Sequence, residues 1–129
     1  MKNQVLSIEQ MQKLKELGVD INKASMCYIS KYPSCDFDDG DSIVVVSKDF
    51  NKRLYNEFGP SFTLQDIIEL LPYTFDNFYL KIYRGINMYY FIYESINSED
   101  DIIEKGNTPL LAAYNMLIWV AENGYLTSK

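Results

Sequence analysis

Histidine is absent from the 129 residues of this chain. Its absence removes the Ser-His-Asp and Cys-His arrangements of nucleophilic catalysis, along with the commonest side-chain ligand of transition metals. Cysteine is scarce: Cys27 and Cys35 stand alone, and an isolated pair at that spacing makes no zinc site. The six glycines lie apart, mostly where turns and helix stops need them, so no phosphate-cradling loop is present. Positive charge is in deficit, with 12 Lys and Arg against 18 Asp and Glu, a net charge of −6. Nucleic-acid binders draw most of their affinity from clustered cations, so this balance argues against a nucleic-acid partner. Long apolar runs are missing as well. The longest, Leu110 to Ala121, is too short to span a bilayer and is interrupted by Asn115, so no membrane partner is expected. The opening residues Met1 to Ser7 hold no apolar core of signal-peptide length. The expected location is therefore the cytoplasm, with Cys27 and Cys35 as free thiols in preference to a disulfide.

What is present points to a folded domain. The chain is 47% hydrophobic and 15% aromatic, well inside the globular range. Its length is that of one ordinary domain, residues 1–129, able to bury roughly two thirds of its unfolded surface without a metal or disulfide.

Local signals place the elements. Ser7 and Gln10 have capping-box spacing, and Leu6 and Met11 flank them as a hydrophobic staple. Ile8, Met11, Leu14 and Leu17 then form a helical stripe that Gly18 stops, with Val19 folding back on Leu14. A strand is expected around Ala24 to Tyr32, and a second over Ser42 to Lys48, where three consecutive valines suggest cover on both faces. The pair reads as an antiparallel hairpin across the acidic turn Asp36 to Asp41. Residues 49–58 are ambiguous: Phe50, Leu54 and Phe58 recur at helical spacing and Asp49 can cap, so a short helix is one reading and an irregular connection the other. A second clear helix opens at Thr63, with Asp66 completing a capping box, and Pro72 stops it.

An aromatic hairpin follows. Phe78 to Tyr83 and Met88 to Ser95 are expected strands, joined through a type II′ turn with Gly85 as its first central residue. That turn pairs Ile82 with Tyr89, Leu80 with Phe91 and Phe78 with Tyr93, which share the core face. Asn97 to Asn107 reads as an acidic loop. Thr108 and Pro109 open the last helix, Leu110 to Asn123, which ends at Gly124 with Tyr125 packing back on Val120. Almost no polar face remains on this helix, so it is either central or meets another surface on one side. The fold class is α+β: two antiparallel hairpins forming a small sheet packed against three helices, in the order α-β-β-(α)-α-β-β-α.

Candidate chemistry is sparse. The turn Asp36 to Asp41 resembles a calcium loop only superficially, because Gly40 falls one place early and Ser47 stands where the bidentate Glu belongs. Asp and Gly are also ordinary turn residues, so a plain turn is preferred and no metal site is assigned. Glu99, Asp100, Asp101 and Glu104 read as a solvated charge run. No catalytic residue is assigned and no cofactor is implied.

The tyrosines are more informative. Of eleven, Tyr79, Tyr83, Tyr89, Tyr90 and Tyr93 crowd into one hairpin. Aromatic cross-strand pairs that merely stabilise a sheet explain much of this. The alternative is a working surface on the outer face made of Tyr79, Lys81, Tyr83, Met88, Tyr90 and Ile92, since tyrosine buries a large area at low entropic cost while keeping a polar tip. Trp119, the sole tryptophan, is a core anchor or an interface anchor.

Three stretches together resemble a known group: Leu6 to Asp20, Phe62 to Pro72, and Ala112 to Leu117 running to Glu122 through Leu126. They are similar to small proteins of no assigned activity encoded by phages and mobile elements of gut anaerobic bacteria. Such relatives often carry cysteines near the tryptophan of the last helix, where this chain has Ile118 and Val120. The resemblance implies a cytoplasmic accessory protein of a mobile element and no particular reaction. The expected function is a non-enzymatic protein-interaction domain, with a protein partner or self-association, modulating a host process. The alternative is a protein that binds or sequesters a small nucleotide-like ligand against the hairpin tyrosines, with Lys81 or Arg84 for its anion.

Overall fold

Ser7 starts the first helix as its spacing to Gln10 requires. Its hydroxyl accepts a hydrogen bond from the Gln10 N–H at 3.1 Å, and the Gln10 side-chain oxygen accepts one from the Ser7 N–H at 2.9 Å. Helix α1 then runs Ile8–Glu16. It closes in a Schellman motif, with the Val19 N–H donating to the Leu14 carbonyl at 3.0 Å. A computed structural model describes residues 4–32, 43–97 and 100–126. The acidic turn Asp36 to Asp41, Cys35 and Glu99 lie outside the described residues.

After a 3₁₀ turn at Ile21–Lys23 the chain forms β1 (Met26–Ser30), β2 (Ile43–Ser47), β3 (Glu57–Ser61), α2 (Leu64–Leu70), β4 (Thr74–Phe75), β5 (Phe78–Arg84), β6 (Tyr89–Ser95), β7 (Ile102–Gly106) and α3 (Pro109–Glu122). The strands make two antiparallel sheets, ordered β2-β1-β3 and β4-β5-β6-β7. The architecture is α+β, with three α-helices among the described residues, and each expected hairpin is the nucleus of its own sheet.

Four expectations need correction. Residues 49–58 are not helical: Phe50 and Leu54 are exposed, and the chain turns there to enter β3. Gly59 and Pro60 hide that strand from a propensity reading, yet an edge position tolerates proline, and pairing with β1 holds it. The stretch Asn97 to Asn107 is not only loop, because Ile102–Gly106 pairs along β6. The two hairpins do not share one small sheet. Finally, the aromatic hairpin is offset by two residues: Leu80 pairs with Tyr93, Ile82 with Phe91 and Arg84 with Tyr89. The Gly85 N–H donates to the Met88 carbonyl at 2.7 Å, so Ile86 and Asn87 are the central turn residues and neither has a positive φ. Gly85 flanks a turn that is not type II′. A shift of two preserves the side-chain faces, as a shift of one does not.

The core gathers on α3. Ala112, Ala113, Met116, Leu117 and Val120 are fully buried against Phe91 and Tyr93 of β6, Ile67 and Leu70 of α2, and Leu6, Met11 and Leu14 around α1. Leu110, Tyr114, Ile118 and Trp119 pack partly buried around the same cluster. The apolar circumference of α3 is thus explained by a central position. Close approach of α3 to β7 needs Gly106, where a Cβ would sit 2.7 Å from the Ala112 nitrogen.

Polar links tie the layers together. One Asp66 carboxylate oxygen accepts from the Thr63 N–H, the Ser25 N–H and the Ser25 hydroxyl, joining the start of β1 to the cap of α2. The Leu6 carbonyl accepts from the Tyr28 and Ser61 hydroxyls, fastening the entry to α1 onto the first sheet. The buried Tyr93 hydroxyl donates to the Pro72 carbonyl at 2.6 Å, and burial pushes its ionisation well above the ordinary tyrosine range.

These links are expected to matter unequally. Tyr93→Phe strands a buried carbonyl and should cost about 1–2 kcal/mol. Asp66→Ala removes a cap together with the bonds to Ser25 and should cost about 2 kcal/mol. Urea denaturation followed by far-UV circular dichroism measures both.

Candidate interaction surface

Strand alternation sorts the side chains of the second sheet into two sets. Phe78, Leu80, Tyr89, Phe91, Tyr93 and Ile102 point to the helices and belong to the core or pack on it. Ile82 shares their side but lies beyond the cover of α3 and is 53% exposed. The opposite face carries Tyr79, Lys81 and Tyr83 on β5, Tyr90, Ile92 and Glu94 on β6, and Ile103 and Lys105 on β7. Of its apolar members, Tyr79, Tyr83, Tyr90, Ile92 and Ile103 belong to neither buried cluster.

The structure therefore brings most of the sequence-derived candidates together. Tyr79, Lys81, Tyr83, Tyr90 and Ile92 share one face, and Met88 closes the turn at its end. Trp119 does not join them. It lies on the helix side, half-buried, stacked with Tyr125 at 5.8 Å and 10° and with Phe75 at 6.1 Å and 29°. Tyr125 itself stacks on Phe75 at 4.1 Å, so the end of α3 is held by β4 as well as by its own last turn. Sequence reasoning missed Glu94, Ile103 and Lys105. The adjacent β-branched Ile102 and Ile103 were the available signal, masked by acidic neighbours.

The face is electrostatically graded. At the β4 end, Glu94 accepts the Tyr79 hydroxyl at 3.0 Å and pairs with the Lys81 ammonium at 3.0 Å. Lys81, then Tyr79, hold the Glu94 carboxyl below the usual carboxylate range, while Glu94 raises the pKa of both partners, keeping the phenol neutral and the ammonium charged. Asp101 acts electrostatically on Tyr79 and Lys81, which places it at this end too. At the turn end, Tyr83 and Tyr90 lie 5.8 Å apart between ring centroids, beside Lys105. There Tyr83, Gly85, Ile86, Tyr90, Ile92 and Ile103 line a shallow open cleft of about 400 Å³. Tyr83 is 60% exposed, Ile103 52% and Ile86 96%. Lys81 is committed to Glu94, and Arg84 lies across the sheet over the Tyr89 ring, so neither cation lines the cleft.

Among the described residues no group of His, Cys, Asp and Glu is arranged to hold a metal ion, and no helix is long and apolar enough to cross a membrane. Cys27 is a buried free thiol, and burial pushes its pKa up, which disfavours the thiolate. No protein-family model matches the chain, and comparisons with curated proteins and with solved structures gave no significant match.

The Glu94 link carries a pH signature. Its carboxyl is depressed in the folded state, so the stabilisation is present above the ordinary carboxylate range and is lost as pH falls through the folded value. In an NMR titration, Lys81→Met should move the Glu94 midpoint upward, and Tyr79→Phe should move it upward by less. A midpoint unmoved by Lys81→Met removes the ion pair as its cause.

Proposed function

We propose that this chain is a non-enzymatic protein-interaction domain that works through the outer face of its four-stranded sheet. Its role is that of an accessory protein of a phage or mobile element, acting on a host process in the cytoplasm. The observation that carries the reading is the placement of Tyr83, Tyr90, Ile92 and Ile103 side by side outside the core. Scattered single apolar residues on a surface mean little, but a contiguous aromatic and aliphatic patch on a rigid sheet has the composition of an interface centre. Tyrosines on a sheet are already ordered, so their burial by a partner costs little further entropy.

A second reading, binding of a small nucleotide-like ligand, draws on the cleft at the turn end. A thermal-shift series with nucleotides tests it, since a ligand bound to the folded state raises apparent stability. No shift at millimolar nucleotide rejects it.

The interaction reading is tested by quantitative pull-down from bacterial lysate. The bait is compared with its Ile103→Lys and Tyr90→Ser variants, and with Leu54→Lys at an exposed site far along the chain. Capture should fall about tenfold or more for the two face variants, as for residues at an interface centre, and should be unchanged for Leu54→Lys. Equal capture by all four baits overturns the proposal.

A further inference from the structure

We infer that a partner of the outer face is a second copy of this chain, packed sheet to sheet about a two-fold axis that crosses the strands along the row Lys81, Ile92, Ile103. The inference rests on the interaction reading above and names one partner for the same surface.

The argument comes from register. Cross-strand pairing arranges the face in rows. Tyr79 and Glu94 form the first, with Asp101 at its β7 end. Lys81, Ile92 and Ile103 form the second, and Tyr83, Tyr90 and Lys105 the third. Asp101, immediately before β7, and Lys105, near its far end, thus stand on either side of Ile103. Four residues of extended chain separate them by roughly 14 Å, too far to pair with each other. Neither has an ion-pair partner among the described residues; Asp101 accepts the Ser95 N–H at 3.2 Å.

A two-fold axis along the middle row exchanges the outer rows between copies. Asp101 then faces Lys105 of the second copy, and Lys105 faces its Asp101, so one contact is made twice. Ile103 meets Ile103 and Ile92 meets Ile92 at the centre. Glu94 meets the Tyr90 hydroxyl, a donor for its free lone pairs. Lys81 meets its own equivalent, but each is already held by Glu94. Packed sheets cross at about 30°, which moves residues one row from the axis by only ~4 Å, within a lysine's reach. A partner of single-sign charge would satisfy one end of β7 and oppose the other. The face is self-complementary, and a second copy is the occupant that matches both ends.

The area is modest. Three strands by five residues is a patch on the order of 15 Å by 15 Å. That is well below the area of a standard specific interface, so association is expected to be weak and transient, in the high micromolar range or above.

Sedimentation velocity on the full chain, from about 1 µM to 1 mM, reads this directly. The wild type should move from monomer to dimer across the series. Asp101→Lys alone and Lys105→Asp alone should each weaken dimerisation about tenfold or more, because each creates two like-charge contacts. The double variant Asp101→Lys with Lys105→Asp restores opposite charges across the axis and should recover wild-type association to within about threefold. Ile103→Lys should leave only monomer. Circular dichroism checks that each variant is folded. If one is not, an NMR dilution series on the wild type should show amide shift changes confined to the outer-face rows. A wild-type monomer at every concentration, or a double variant no better than the singles, overturns the dimer. A monomer whose outer face still captures a different protein overturns the dimer alone; a monomer with no face-dependent capture overturns the interaction reading as well.

Discussion

Burial of one apolar cylinder organises this molecule. Helix α3 has almost no polar side, so it must be surrounded. The fold surrounds it with β6 and β7 on one side, α2 on another and the residues around α1 beyond. Each fully buried leucine, methionine or valine contributes about 1.5–3 kcal/mol through burial, and this helix supplies Met116, Leu117 and Val120 to the core. The other links serve that arrangement. Gly106 lets the helix come close, Tyr93 pins the strand beneath it to Pro72, and the Phe75–Tyr125 stack fixes its end.

The same arrangement creates the asymmetry on which the functional reading depends. A four-stranded antiparallel sheet has two faces, and α3 covers one. The other still carries tyrosines and isoleucines, which a purely solvated face does not require. Cross-strand aromatic pairing accounts for the ordering of Tyr83 and Tyr90 but not for the exposure of Ile103 beside them. An acid at one end of β7 and a base at the other add a directional pattern to what would otherwise be a featureless apolar patch.

Much of this was legible in the sequence, and the division follows the range of the interactions. Helix ends were legible because capping is local: Ser7 with Gln10, Thr63 with Asp66, and the stops at Gly18 and Gly124 need only neighbours in sequence. Strands β3 and β7 were not: one contains Gly59 and Pro60, in the other the β-branched Ile102 and Ile103 are masked by acidic neighbours, and both pair because β1 and β6 offer them a partner. The outer face survived a register error because the error was two residues and side chains alternate with that period. Trp119 stayed open between core and interface because helical spacing cannot say which of two apolar sides meets a sheet; the structure packs it against the core cluster. The β7 contribution, Ile103 and Lys105, was invisible for as long as that strand read as a loop.

The aromatic stack at the end of α3 has a practical consequence. The lone indole, Trp119, lies parallel to the Tyr125 ring and against Phe75, across a junction of β4, the last helical turn and the segment after it. Its emission is therefore a built-in optical reporter of whether the carboxyl-terminal segment is docked. Because that chromophore lies on the helix side of the second sheet, its signal follows closure of the core while remaining blind to whatever binds the opposite face.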